Sequence, residues 1–159
     1  MKIPSGVITI LLLFVICLCS TTKSENVLEY KEIMRFIETE ISTNDTYQAG
    51  ESIELSMKVT NIGKTKYTFL PWGTPIENRL TGDCLLVKYN NQILDYNGIM
   101  VKRIPPTKKD YITLKHNETA LGKINILEGY SLSENGVYTI QYKEGKGPPA
   151  SNIVEIEIR

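Results

Sequence analysis

The sequence predicts an all-β domain, an antiparallel sandwich of about eight or nine short strands. Three observations carry that expectation. Residues 52–61 alternate apolar and polar, with Ile53, Leu55, Met57 and Val59 on one side and Glu54, Ser56, Lys58 and Thr60 on the other, which is the period of a half-buried strand. Clusters of Gly, Pro, Asn and Asp recur from residue 44 onward at a spacing of roughly ten residues, as between the strands of a sandwich. Beyond residue 42 no stretch keeps a helical apolar period for more than a turn or two, so no long helix is expected.

The chain has 159 residues, which suits one domain. Lys2, an apolar run over 7–18 and the small or polar Cys19, Ser20, Thr21 and Thr22 form the three-part pattern of a secretory signal peptide. The run falls short of the roughly 20 residues that a membrane-spanning helix needs. The expected division is therefore a signal peptide at 1–22, an N-terminal arm at 23–32 and the β domain at 33–159. It implies a secreted, extracellular protein with no membrane attachment after cleavage. Eighteen basic residues balance eighteen acidic ones, so a nucleic-acid partner is not expected. Cys17 and Cys19 lie in or beside the signal, and Cys84 is left alone. An internal disulfide is then excluded, and Cys84, in an apolar stretch, reads either as a small buried hydrophobe or as a thiol open to an intermolecular disulfide or to reaction. Asn44 and Asn117 each open an N-x-Thr sequon, and both sit in polar loops where a glycan would be accommodated.

The elements follow in order. Residues 33–42 place Ile33, Ile37 and Ile41 four apart, which suits a helix, but the alternation of the second half favours a strand. A turn at 44–51 leads into the strand at 52–61, and Tyr67 and Phe69 share one face of the return strand at 65–70. Prolines 71 and 75 end the ladder, because proline has no N–H to give it, and Trp72 lies between them. Residues 84–89 form a strand, Asn90-Asn91 a hairpin turn and 93–96 its return. Asn97-Gly98 is a second hairpin signal. It is followed by an extended segment at 99–104 that Pro105-Pro106 stops. Strands are expected at 110–114, 120–127, 137–142 and 152–158. The Gly136-Val137-Tyr138 wording resembles the strand that opens at a tyrosine corner, so the sandwich is assigned to the immunoglobulin-like class.

Chemistry is sparse. The single histidine, His116, falls in a predicted loop. No H-E-x-x-H motif, metal-spaced His/Cys cluster, G-x-S-x-G elbow or phosphate-binding glycine loop is present. The expectation is a protein that is not an enzyme, with no catalytic residue, metal or cofactor. Recognition by loops is left. Trp72 reads either as an exposed anchor or as a plug of the core. Lys102 and Arg103 read either as two cations presented to a partner or as solvated charges that discourage edge-to-edge aggregation. The candidate binding residues are Trp72, Thr74, Glu77, Lys102 and Arg103.

An ordered set of words is more specific than composition. It runs Trp72-Gly73-Thr74-Pro75-Ile76-Glu77, Gly82-Asp83, Tyr96-Asn97-Gly98, Val101-Lys102-Arg103, Pro106 and Asp110-Tyr111-Ile112-Thr113-Leu114. From about residue 40 onward the chain resembles the non-catalytic N-terminal β-sandwich region of deuterolysin-like, peptidyl-Lys-type metallopeptidases. The zinc domain that follows in that family has no counterpart here, so none of its catalytic residues carries over. The resemblance implies a propeptide-like module acting on a protein partner, a secreted metallopeptidase, as an inhibitor or regulator by occlusion. The plan is also similar to small all-β proteinase inhibitors of the BsuPI type. The alternative is an extracellular structural or adhesive β-sandwich with no protease partner, since one fold serves many functions.

Overall fold

The computed structural model describes residues 30–145 and 147–159. The expected signal peptide and most of the expected arm lie outside the described residues. The chain divides into two units, with the boundary after Arg35. In the first unit, residues 30–34 form a short helical turn, closed where the Arg35 N–H donates to the Glu32 carbonyl at 3.3 Å. The strand predicted from residue 33 therefore starts later. Clean apolar alternation begins only at Ile37, and the helical spacing of the isoleucines prevails before it.

The second unit carries ten strands, β1 (Ile37–Ser42), β2 (Thr46–Tyr47), β3 (Glu54–Asn61), β4 (Tyr67–Phe69), β5 (Leu85–Tyr89), β6 (Gln92–Ile93), β7 (Ile112–Leu114), β8 (Thr119–Asn125), β9 (Gly136–Tyr142) and β10 (Ile153–Ile158). They form three sheets, ordered β1-β3-β8, β2-β10-β9-β5-β6 and β4-β7. The all-β expectation holds, but the described residues form ten strands in three sheets and not the eight or nine strands of one sandwich. One pairing departs from the antiparallel plan, because β2 runs parallel to β10. The chain leaves the first sheet at Thr43, whose hydroxyl donates to the Glu54 carbonyl at 2.8 Å. It then enters the second sheet alongside the C-terminal strand, where the Arg159 N–H donates to Tyr47 and the Ala49 N–H to Arg159.

The alternation read from β3 sets its register. Ile53, Leu55, Met57 and Val59 are all buried, and so are Ile37 and Ile41 of β1 and Ala120 and Ile124 of β8. The second sheet buries Val87, Tyr138, Ile140, Ile156 and Ile158. Burying a side chain of this size stabilises by about 1.5–3 kcal/mol, so these alternating rows dominate the stability, and Cys84, the one cysteine among the described residues, is free. At the end of β3, Asn61 is buried with its amide fully used. It donates to Thr65 O and Leu114 O, both at 2.9 Å, and accepts from the Gly63 N–H at 2.9 Å. It thereby ties β3 to the β4-β7 pair, as a buried amide must be tied to be tolerated.

Two turn expectations part company. Asn90 and Asn91 take φ of 50° and 63° and close the β5-β6 hairpin, as a two-residue loop with both residues left-handed does. Asn97-Gly98 closes no hairpin. The Asn97 N–H donates to the Gly129 carbonyl at 2.8 Å, and a Cβ on Gly98 would collide with the Tyr96 ring and the Glu128 carbonyl. This glycine serves close approach and not a turn. The segment 99–104 that follows joins no sheet. The tyrosine-corner expectation at Tyr138 holds locally. Its hydroxyl donates to the Glu134 carbonyl at 2.8 Å and accepts from the Glu134 N–H at 3.1 Å, four residues upstream as in such corners.

Candidate recognition site

The site begins with the loop after β4. Thr74 caps the 3-10 turn Pro75–Glu77. Its hydroxyl donates to Pro71 O at 2.6 Å and accepts from the Ile76 N–H at 3.3 Å, the bond expected of a cap. Asn78 ends the turn in the left-handed region, φ 58°. The turn is seated on the outer edge of β8. The Lys123 N–H donates to Asn78 Oδ1 at 2.9 Å, and a Cβ on Gly122 would overlap Pro75 O and Ile76 Cα. Only glycine at 122 lets the loop lie this close, and Asn78 in turn satisfies the N–H of Lys123 on the open edge of β8.

Glu77 is the hub. Its Oε2 accepts from the Gly73 N–H and from the Thr81 hydroxyl, both at 2.7 Å. Its Oε1 accepts from Arg103 Nη2 at 2.6 Å. The Glu77 side chain is 13% exposed and that of Arg103 28%, so this ion pair is better shielded than an ordinary surface pair. The Arg103 guanidinium carbon stands 4.8 Å from the centroid of the Trp72 ring, within cation–π range. Three of the five predicted residues, Trp72, Glu77 and Arg103, are thus brought into one cluster. Trp72 is half-buried, neither a full plug nor a free anchor. Thr74 is buried and holds the turn from within. Lys102 is exposed and makes no hydrogen bond or ion pair with any described residue.

Gly122, Asn78 and Thr81 were not anticipated as parts of this arrangement. A glycine inside a strand is a signal for close backbone approach, and Gly122 carried it. Asn78 and Thr81 gave no local signal, because their roles depend on which loop meets which edge.

Beside the cluster, Asp83 pairs with Lys143 at 2.6 Å and accepts from the Tyr130 hydroxyl at 2.8 Å. Burial pushes its carboxyl up, but the Lys143 ammonium and the Tyr130 hydroxyl outweigh that and hold it below the usual range. The same Tyr130 oxygen accepts from the Leu85 N–H at 3.2 Å. Cys84 is free and buried. Burial, reinforced by the Asp83 carboxylate, pushes its thiol up to about 12, which leaves it an inert thiol at neutral pH. His116 is exposed, with its ring Nδ1 3.0 Å from the Gly63 carbonyl. Asn44 and Asn117 are both exposed. Among the described residues no group of three or more His, Cys, Asp or Glu could hold a metal ion, and no helix is long and apolar enough to cross a membrane.

No family model matches the chain. It is similar to an extracellular protease of Aeromonas hydrophila, 27% identical over 106 residues. That match covers 63% of this chain and 30% of the protease, so the chain spans less than a third of its relative's length. Among solved structures, a β-glucosidase from Listeria innocua aligns over 77% of this chain and 16% of its own, with a TM-score of 0.40 and 13% identity. A likeness of that grade carries no argument about fold or activity.

Proposed function

We propose that the protein is a secreted, non-catalytic recognition module of immunoglobulin-like build whose partner is an extracellular peptidase, which it restrains by occlusion. The observation that carries this reading is the Trp72–Arg103–Glu77 cluster, because it anchors an exposed, largely apolar segment. Ile99, Met100, Val101 and Ile104 are all exposed and belong to no sheet. Large apolar side chains left exposed together on one segment suit a surface that a partner covers. Binding loops gain affinity when they are ordered beforehand, because less entropy is lost on association. The partial similarity to an extracellular protease supports a peptidase as the partner, and a metallopeptidase is the first class to test.

The experiment is a binding and inhibition screen of the secreted chain against purified extracellular metallo-, serine and cysteine endopeptidases. Saturable binding with loss of peptidase activity, weakened by Trp72→Ala or Arg103→Ala, is the expected result. Absence of binding to every class would remove the peptidase reading and leave a structural or adhesive domain.

A further inference from the structure

The outward faces of the two larger sheets treat their charges differently. On the β1-β3-β8 face, Glu40 pairs with Lys58 and Glu54 with Lys123, each at 2.7 Å, so the charges are met within the face. The β2-β10-β9-β5-β6 face is not closed in this way. Its register sets Leu86, Gln141 and Ile153 in one row across β5, β9 and β10, and Lys88, Thr139 and Glu155 in the next. Their chain neighbours Val87, Ile140 and Ile156 are buried, so both rows point outward, as a period of two requires. Ile153 is 61% exposed and Val137, on the same face of β9, 53%. The charges at the margins are already met, Glu157 by Arg159 at 2.7 Å and Lys143 by Asp83 at 2.6 Å. Lys88 and Glu155 are not. They stand two strands apart, about 10 Å, and neither makes an ion pair or side-chain hydrogen bond with a described residue.

β9 is thus flanked by opposite charges in one row and by an apolar residue on each side in the other, a pattern complementary to itself. We propose that this face is the interface of a two-fold dimer, in which a second copy of the chain packs sheet on sheet about an axis running along β9. That axis lays β5 of each copy over β10 of the other. Lys88 then meets Glu155 of the second copy and Leu86 meets its Ile153, and each contact occurs twice, as a two-fold interface requires. Val137, Thr139 and Gln141 fall on the axis against their own counterparts, and none of them is charged. An axis across the strands through the same row would instead set Lys88 against Lys88 and Glu155 against Glu155, so like-charge repulsion selects the first arrangement. Twisted sheets pack face to face with their strands about 30° from parallel and about 10 Å apart, a gap that a lysine and a glutamate reaching from opposite sides can close. The ion pairs fix the register, and burial of Leu86, Ile153 and Val137 supplies the affinity. The segment 99–104 joins no sheet, so this inference stands or falls separately from the peptidase reading.

The test is sedimentation of the protein over a concentration series reaching about 1 mM, with circular dichroism to confirm that each variant is folded. Lys88→Glu, Glu155→Lys, the double variant and an equimolar mixture of the two single variants are run alongside. The expected result is a monomer–dimer equilibrium for the unaltered protein. Each single substitution places two like-charged pairs in the interface and should weaken association by about 10-fold or more. The double variant should recover it, and the mixture should form a heterodimer, because one copy then carries two acids and the other two lysines. Ile153→Ser, which alters no charge, should also weaken the dimer. A protein that stays monomeric at every concentration would overturn the proposal. So would a dimer that both single variants retain at full strength, or a weakening that neither the double variant nor the mixture reverses.

Discussion

Arg103 Nη2 lies 2.6 Å from Glu77 Oε1, across a gap of 26 positions in the chain. This bond fastens the 99–104 segment to the loop after β4. Glu77 holds Gly73 and Thr81 at the same time, so its carboxylate joins three pieces of backbone. Hydrogen bonds to a charged group contribute about 1.5–3 kcal/mol each. Glu77→Gln keeps the shape but places an amide N–H₂ against a donor. It should lower stability by about 1–3 kcal/mol, read from the urea midpoint. It should also shift the emission of the single tryptophan, Trp72, as Arg103 leaves its ring. A Glu77→Gln protein with unchanged midpoint and emission would show that the cluster is not a unit.

Gly122 governs whether the loop can seat at all. A methyl group at this position meets backbone atoms of Pro75 and Ile76 and not the end of a flexible side chain, so it cannot be accommodated by a rotamer change. Gly122→Ala should destabilise by about 1–3 kcal/mol or more, as overpacking does, with a lowered thermal midpoint. It should also raise amide exchange at Lys123, whose N–H loses Asn78. Gly50, where an added Cβ meets no atom within 4 Å but φ is +81°, is the comparison. Gly50→Ala should show only the smaller cost of left-handed strain.

Cys84 makes stability fall in alkali. Burial raises the thiol to about 12 in the folded state, while an unfolded cysteine titrates near about 8.5. Below the unfolded value both states are protonated and the thiol does not bias folding. Above it the unfolded state loses its proton first and is favoured, so stability declines as pH rises from about 8.5 towards 12. Cys84→Ala should flatten that decline in denaturant midpoints measured across the window. In the native protein at neutral pH the thiol should resist alkylation and react only at the rate of unfolding.

Much of this was legible in the residues, and the limits have physical causes. The strict alternation of β3 fixed its buried face before any partner was known, because a one-residue slip would turn Ile53, Leu55, Met57 and Val59 outward together. Trp72, Glu77 and Arg103 were legible as unusual residues but not as neighbours, since their meeting depends on Gly122 admitting the turn onto β8. Asn97-Gly98 misled because the same dipeptide serves a tight turn or a close approach, and only the presence of Tyr96 and Glu128 decides which. The parallel β2-β10 pairing was out of reach, because two residues give no period.

The central claim is that residues 99–104, set on the Trp72 cluster, are the surface a peptidase covers. Amide hydrogen exchange of the protein, alone and saturated with an extracellular peptidase that it binds, tests it most directly. The account predicts new protection concentrated at residues 99–104 and at Gly73 and Thr81, with the β1-β3-β8 sheet unchanged. Protection confined to strands remote from that segment, or none at saturation, would contradict it.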